Sequence, residues 1–316
     1  NNSSGGGEHD TIRPSSGVHI TVDSRLVPRG IGILFPKTKD GRVLFVVPWQ
    51  ERTIIGTTDT PESLAELRDQ PPKPKQDDVN YILEHISEAF ETPITREQVL
   101  SAWSGIRPLV DPSALKHSEV PSNSTTAALP RDHVIHVSDS GLVTISGGKW
   151  TTFRRMSEET VDQAIHTAQL TPPHPQSLST VTPLIGAPFK FDMSELTSRT
   201  QLNIALSEHL YQYYGSQSIQ LIDYGRKKLG NNWNRKLSDK FNFIEAEVLH
   251  HVRAEYACRA SDVIAYRTNL MLLDRSEAIK VNPRVVDLMG NELGWNARRR
   301  QIERAHCLAY IEKCTI

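Results

Sequence analysis

Ser146-Gly147-Gly148-Lys149-Trp150-Thr151-Thr152-Phe153-Arg154-Arg155-Met156 is the stretch around which the rest of the chain can be read. A β-rich apolar run, residues 142–145, leads into it. Beyond it Met156, Thr160, Val161, Ala164, Ile165 and Ala168 recur at helical spacing. The pattern predicts a strand, a glycine turn and a helix in direct succession. Two glycines let backbone N–H groups come close to a ligand, and Thr151 or Thr152 is placed to cap the first helical turn. A helix start carries unpaired N–H groups and the positive end of the peptide dipoles, so it favours an anion or an electron-rich ring edge. Lys149 adds a full charge. The bland alternative is a capped turn beside a solvated lysine. A Walker A loop is excluded, because Trp150 stands where Ser or Thr must follow the lysine and the upstream glycine spacing is wrong.

Upstream, residues 133–137 and 141–145 read as a hairpin around Ser138-Asp139-Ser140, and residues 113–130, rich in Ser, Thr, Asn and Pro, as a loop. Before that loop comes Trp103-Ser104-Gly105-Ile106-Arg107-Pro108-Leu109. Pro108 pushes Arg107 toward extended backbone, and a guanidinium displayed that way can form a fork of hydrogen bonds to a phosphate or carboxylate. A structural salt bridge is the competing role. Residues 31–35, 43–47 and 53–56 predict three successive strands of an antiparallel sheet, with Asp40-Gly41 turning the first pair. The third ends in Gly56-Thr57-Thr58-Asp59, which suits a binding loop as well as ordinary turn chemistry. A helix over residues 77–90, capped by Asp77 or Asp78, carries Val79, Ile82, Leu83, Ile86 and Phe90 on one stripe. Near the start, Val18, Ile20 and Val22 alternate with His19 as in a strand.

Downstream, Pro172-Pro173-His174-Pro175 and the Ser/Thr run to Pro183 mark a boundary. We read residues 1–170 as one domain, 171–183 as a linker and 184–316 as an all-helical domain. Its helices are expected over 194–214, 243–272, 283–293 and 296–312. The fold class expected is α+β, a largely antiparallel sheet with helices, followed by the helical domain.

With 36 basic and 37 acidic residues the net charge is −1, which argues against broad electrostatic binding of nucleic acid. Cys258, Cys307 and Cys314 have no metal-ligand spacing, so neither zinc nor disulfides are expected. No apolar run is long enough to span a bilayer. Arg298, Arg299, Arg300 and Arg304 give the last helix a basic face, solvated or turned to an anionic membrane surface. No EF-hand loop is present, so no calcium regulation is expected within these residues.

Three blocks in order carry a resemblance. Pro48-Trp49 with Ile55-Gly56-Thr57-Thr58-Asp59-Thr60-Pro61, then Trp103 to Leu109, then Gly147-Gly148-Lys149-Trp150-Thr151-Thr152 resemble the FAD-dependent glycerol-3-phosphate dehydrogenases in their mitochondrial form. Phe243-Ile244-Glu245-Ala246-Glu247-Val248 continues the similarity more weakly. Ala265-Tyr266-Arg267-Thr268-Asn269-Leu270 departs from the doubly basic form expected there. The G-x-G-x-x-G dinucleotide fingerprint is absent from these 316 residues, and the resemblance assigns it to an N-terminal segment. The chain is therefore expected to be the larger, C-terminal part of an enzyme.

The resemblance implies FAD as hydride acceptor, glycerol 3-phosphate as substrate, dihydroxyacetone phosphate as product and a quinone as the next electron carrier. It implies that Arg107 binds the substrate phosphate and that Lys149 holds the substrate or polarises its oxygen. Gly147, Gly148, Lys149, Trp150 and Thr151 would lie against the flavin, and Thr57 and Thr58 near the substrate. His19 would accept the hydroxyl proton, a role equally open to a residue of the N-terminal segment. Peripheral association with the mitochondrial inner membrane follows from the same resemblance, and a homo-oligomer stays open. Two rivals remain: an amine or amino-acid oxidase-like flavoenzyme, in which Arg107 holds a carboxylate, and a truncated non-catalytic binding protein.

Overall fold

The protein is described by a computed structural model over residues 12–27, 30–38, 41–67, 72–88, 90, 92–111, 132–187 and 192–314. Asp40 and the expected loop at 113–130 lie outside these residues.

The sheet is built on β1 (Ile12–Asp23), whose alternating Val18, Ile20 and Val22 are fully buried on one face. β2 (Ile33–Phe35), β3 (Leu44–Trp49), β4 (Arg52–Gly56) and β5 (Thr60–Pro61) follow, and the sheet order is β2-β3-β4-β1-β5. The long strand β6 (Val99–Val110) pairs with β1 along the latter's other edge, and every pairing is antiparallel. Register places Leu34, Phe45, Gly56, His19 and Trp103 in one row across five strands, on the face opposite the buried valines.

Between β5 and β6 lie a single turn of helix, α1 (Leu64–Leu67), and α2 (Gln76–Ser87). Val79, Ile82 and Ile86 of α2 fall at i, i+3 and i+7 and pack against Val18, Ile20, Leu44, Val46, Ile55 and Ala102. Each fully buried aliphatic side chain contributes about 1.5–3 kcal/mol. Neither Asp77 nor Asp78 caps α2. The cap position is Lys75, and Asp78 is buried, accepting the Thr60 hydroxyl at 3.0 Å. The demand of the buried Asp78 carboxylate for a hydrogen-bond donor outweighs the helix end here.

β7 (His133–Val137) and β8 (Val143–Gly147) form the expected hairpin, and α3 (Phe153–Thr167) follows it through a 3₁₀ turn, Trp150–Thr152. The remainder is helical: α4 (Met193–Thr200), α5 (Ile204–Tyr214), α6 (Ser218–Leu229), α7 (Glu245–Ala254), α8 (Leu270–Leu273), α9 (Arg275–Leu293) and α10 (Ala297–Ile311). The expected helix over 243–272 is broken after Ala254, where Tyr256 takes a positive φ, and resumes as a π-helical turn, Asp262–Arg267. α9 starts well before Pro283 because Asp274 accepts the Glu277 N–H and caps it.

The helical core, around Val248, Ile264, Leu270, Val285 and Met289, reaches back to Trp49 and Trp103 of the sheet. Two hydroxyls tie the same junction, Thr21 to the Leu272 carbonyl and Ser101 to the Met271 carbonyl, each at 2.7 Å. Glu247 is wholly buried and accepts from Tyr214, His209 and the Ile244 N–H, which satisfies the charge it brings into the core. The basic face expected on α10 is largely neutralised. Arg299 pairs with Glu303, Arg300 with Asp287 and Asn291, and Arg304 with Asp287. No helix of the described residues is long and apolar enough to cross a membrane.

Candidate functional site

The β7–β8 register sets His133 opposite Gly147, so the chain leaves the hairpin beside Asp132. Gly147 and Gly148 turn it away from β8 with φ of +77° and +78°, conformations that L side chains rarely adopt. A Cβ on Gly147 would press on Val110 and the Asp132 carbonyl; one on Gly148 would stand 2.7 Å from Met156. The Gly148 N–H donates to the Asp132 carbonyl at 3.2 Å. Lys149 then precedes the 3₁₀ turn, whose first amides have no acceptor within the turn. Thr152 does not cap α3. Its hydroxyl donates to the Lys149 carbonyl at 2.9 Å, which tightens the turn and leaves the leading amides to a ligand.

A cavity of about 380 Å³ opens over this turn, lined by Ile106, Arg107, Pro108, Leu109, Asp132, Gly147, Gly148, Lys149 and Trp150. A second hollow of about 590 Å³ shares Pro108 and the stretch from Gly147 to Trp150 and continues along Phe153, Met156, Thr160 and Val161. The two cationic residues that the sequence singled out, Arg107 and Lys149, thus belong to one cavity, although 42 positions separate them.

The Arg107 guanidinium is held in place. Nη2 donates to the Thr57 hydroxyl and the Thr58 carbonyl, both at 3.0 Å, and Nη1 to the Ser16 carbonyl at 3.2 Å with Asp59 at 3.7 Å. A side chain on Gly17 would collide with it. Thr58 is fully buried and its hydroxyl accepts the Val18 N–H at 3.0 Å, so it has no surface to offer a substrate. Thr57 touches Arg107 first. Both threonines act on the arginine, a different placement from direct ligand contact.

His19 does not line the cavity. It sits on the same face of the sheet as Arg107 and stacks on Trp103, with ring centroids 5.7 Å apart at 14°. A side chain at Gly56, opposite it, would meet its ring at 2.6 Å. Burial, with a smaller contribution from Arg107, pushes the imidazole pKa down to about 4, so His19 is neutral near pH 7. Ile106 and Pro108 of the Trp103–Leu109 block also form the wall, and Asp132 is the wall residue that the motifs did not mark. The hairpin register, which puts the residue before His133 beside Gly148, is the signal that could have found Asp132. No group of three or more His, Cys, Asp or Glu able to hold a metal occurs among the described residues.

Residues 2–154 match the family described as FAD dependent oxidoreductase, and residues 177–300 match the C-terminal domain of alpha-glycerophosphate oxidase. Three mitochondrial glycerol-3-phosphate dehydrogenases are similar over 95% of this chain: SDP6 of Arabidopsis thaliana at 36% identity, and those of Mus musculus and Homo sapiens at 38% and 37%. The chain is thus similar, along nearly its whole length, to the FAD-dependent glycerol-3-phosphate dehydrogenases. It spans 48% of the Arabidopsis protein's length and 40% of the two mammalian ones. A Bacillus halodurans glycerol-3-phosphate dehydrogenase, solved in complex with FAD, superposes with a TM-score of 0.72 over 96% of this chain and 57% of its own. At 22% identity that likeness shows the fold alone. Within the glycerol-3-phosphate dehydrogenase family reading, the three similar blocks are those that converge here: β4 with its threonine loop holds Arg107, β6 carries it, and the glycine turn faces it.

Proposed function

We propose that the full-length protein oxidises sn-glycerol 3-phosphate to dihydroxyacetone phosphate, with FAD against the Gly147–Gly148 turn and a quinone as the final acceptor. The observation that carries this is the shared cavity of Arg107 and Lys149 over a side-chain-free turn. The residues fit a flavin ring: a bare backbone strip, leading helical amides and an apolar hollow along Met156, Thr160 and Val161 are what a flat, electron-rich ring edge requires. When bound, FAD supplies the hydride acceptor that no side chain can provide.

Arg107 anchors the phosphate. Its fork is already oriented by Thr57, Thr58 and Ser16, so little order is lost when the dianion arrives. Lys149 holds the substrate oxygen, where its charge stabilises the alkoxide character that develops on oxidation. The hydroxyl proton needs an acceptor within hydrogen-bond reach; His19 shares the sheet face of Arg107 but does not line the cavity and is a weak base, so the role passes to a residue of the N-terminal segment.

We further place the domain boundary at 171–183, and the protein in mitochondria, where the relatives' names put them, as a peripheral inner-membrane enzyme. The test is a substrate panel on the full-length protein, read by bleaching of the flavin absorbance. Bleaching by glycerol 3-phosphate is expected. Bleaching by amines or amino acids alone would overturn the assignment in favour of a carboxylate- or amine-directed oxidase.

A further inference from the structure

α3 buries none of its residues completely, so packing alone does little to fix the helix whose start carries Lys149. Among the described residues one polar side-chain contact joins it to β7, behind the cavity: His133 Nε2–H donates to Glu159 Oε2 at 2.7 Å. His133 immediately follows Asp132, pairs with Gly147 and stands behind Gly148, where a Cβ would come within 3.1 Å of its own Cβ. Gly148 is therefore sandwiched between Met156 of α3 and His133 of β7, and Glu159 joins the two outer layers. The imidazole is mostly enclosed, with its side chain 15% exposed. The bond from His133 is the foremost influence holding the Glu159 carboxyl below the usual carboxylate range, ahead of the contacts from Arg155 on the same helix.

We propose that His133 and Glu159 are positioning residues for this site: their hydrogen bond sets the angle of α3 against the hairpin and thereby the placement of the Gly147–Gly148 backbone and Lys149 toward flavin and substrate. The inference rests on the function proposed above. Neither side chain lines the cavity.

The test uses the full-length protein with FAD removed and added back, following flavin fluorescence, together with steady-state kinetics on glycerol 3-phosphate. His133→Ala and Glu159→Ala are expected to raise the dissociation constant for FAD about tenfold and to raise KM more than they lower kcat, with the far-ultraviolet spectrum unchanged. His133→Gln, whose amide can donate from nearly the same place, is expected to recover FAD affinity to within about threefold. Glu158→Gln is the control. Among the described residues its carboxylate meets Arg154 and Arg155 of the same helix, so no change is expected. Unaltered FAD affinity in His133→Ala, or an equal loss in Glu158→Gln, would overturn the positioning role while leaving the proposed function standing. Failure of the unsubstituted protein to take up FAD would overturn both.

Discussion

Arg107 and Thr57 are joined by a 3.0 Å hydrogen bond from guanidinium to hydroxyl, linking β6 to the loop after β4 across 50 positions of sequence. The arginine is thereby oriented before any ligand arrives. Hydrogen bonds to charged groups contribute about 1.5–3 kcal/mol, and Arg107 keeps its carbonyl acceptors when this one is lost. Thr57→Val should raise KM for glycerol 3-phosphate about 3- to 10-fold with kcat nearly unchanged. A KM equal to that of the parent enzyme would mean that the carbonyls suffice.

Arg107→Lys keeps the charge and removes the fork. A lysine ammonium cannot reach the two carbonyls and the hydroxyl while also presenting a bidentate face to phosphate. Loss of about 2–3 kcal/mol in kcat/KM is expected for glycerol 3-phosphate, roughly a 30- to 150-fold drop, and much less for glycerol, which has no phosphate. Equal losses on both substrates would show that Arg107 serves the fold and not the phosphate.

His19 gives the protein a particular acid sensitivity. Its pKa of about 4 lies below the ordinary 6.5, so between these values the unfolded chain binds a proton that the folded chain refuses. Near pH 7 both states are neutral and nothing is lost. As the pH falls through 6.5 the folded state loses stability, by about 2 kcal/mol at pH 5, and the loss levels off below about 4. In denaturant titrations at pH 7 and pH 5, His19→Gln should lose about 2 kcal/mol less than the parent over that interval. Identical losses would place the acid-labile group elsewhere, for instance at His251, whose pKa burial also pushes well below the usual value.

Gly148→Ala tests the turn itself. The new methyl group meets Met156 and must adopt a φ near +78°, a combination expected to cost about 1–3 kcal/mol. Adding Met156→Ala removes the collision with Met156 but neither the 3.1 Å approach to His133 Cβ nor the backbone strain, so thermal melts should show partial recovery. Full recovery would mean that the backbone tolerates the side chain and that only space had been at issue.

The elements legible in the sequence are those where one physical signal dominates. The 3.6-residue stripe of Val79, Ile82 and Ile86 marks α2, and the alternation in residues 133–147 marks the hairpin. β6 is signalled only at Arg107, which Pro108 pushes toward extended backbone, and its full span of Val99–Val110 has no continuous alternation to mark it. It tolerates Pro108 because, among the described residues, its only strand partner is β1, which leaves one edge with no ladder to break. α6 escaped notice because Arg226, Lys227 and Lys228 crowd its last turn and only a narrow strip with Leu221, Ile222 and Gly225 faces inward. The strand alternation near the start is carried by Val18, Ile20 and Val22 alone, and β1 extends beyond it to Ile12. Ser15 and Ser16 become strand because Asp59, Glu62 and β6 receive them, and that is a tertiary fact. In the site, residue type announced Arg107 and the glycine turn. The part Thr57 plays in aiming Arg107 depends on the pairing of strands far apart in sequence, which no local pattern encodes.

β6 is one continuous strand whose Ala102 lies in the sheet core, whose Trp103 leans on the helical core and whose Arg107 faces the cavity. Because a strand bends little over so short a span, a phosphate gripped at one end loads the same beam that the helices clasp at the other. Occupancy should therefore slow protease cutting and amide hydrogen exchange in α8 and α9, helices that line neither hollow at the glycine turn.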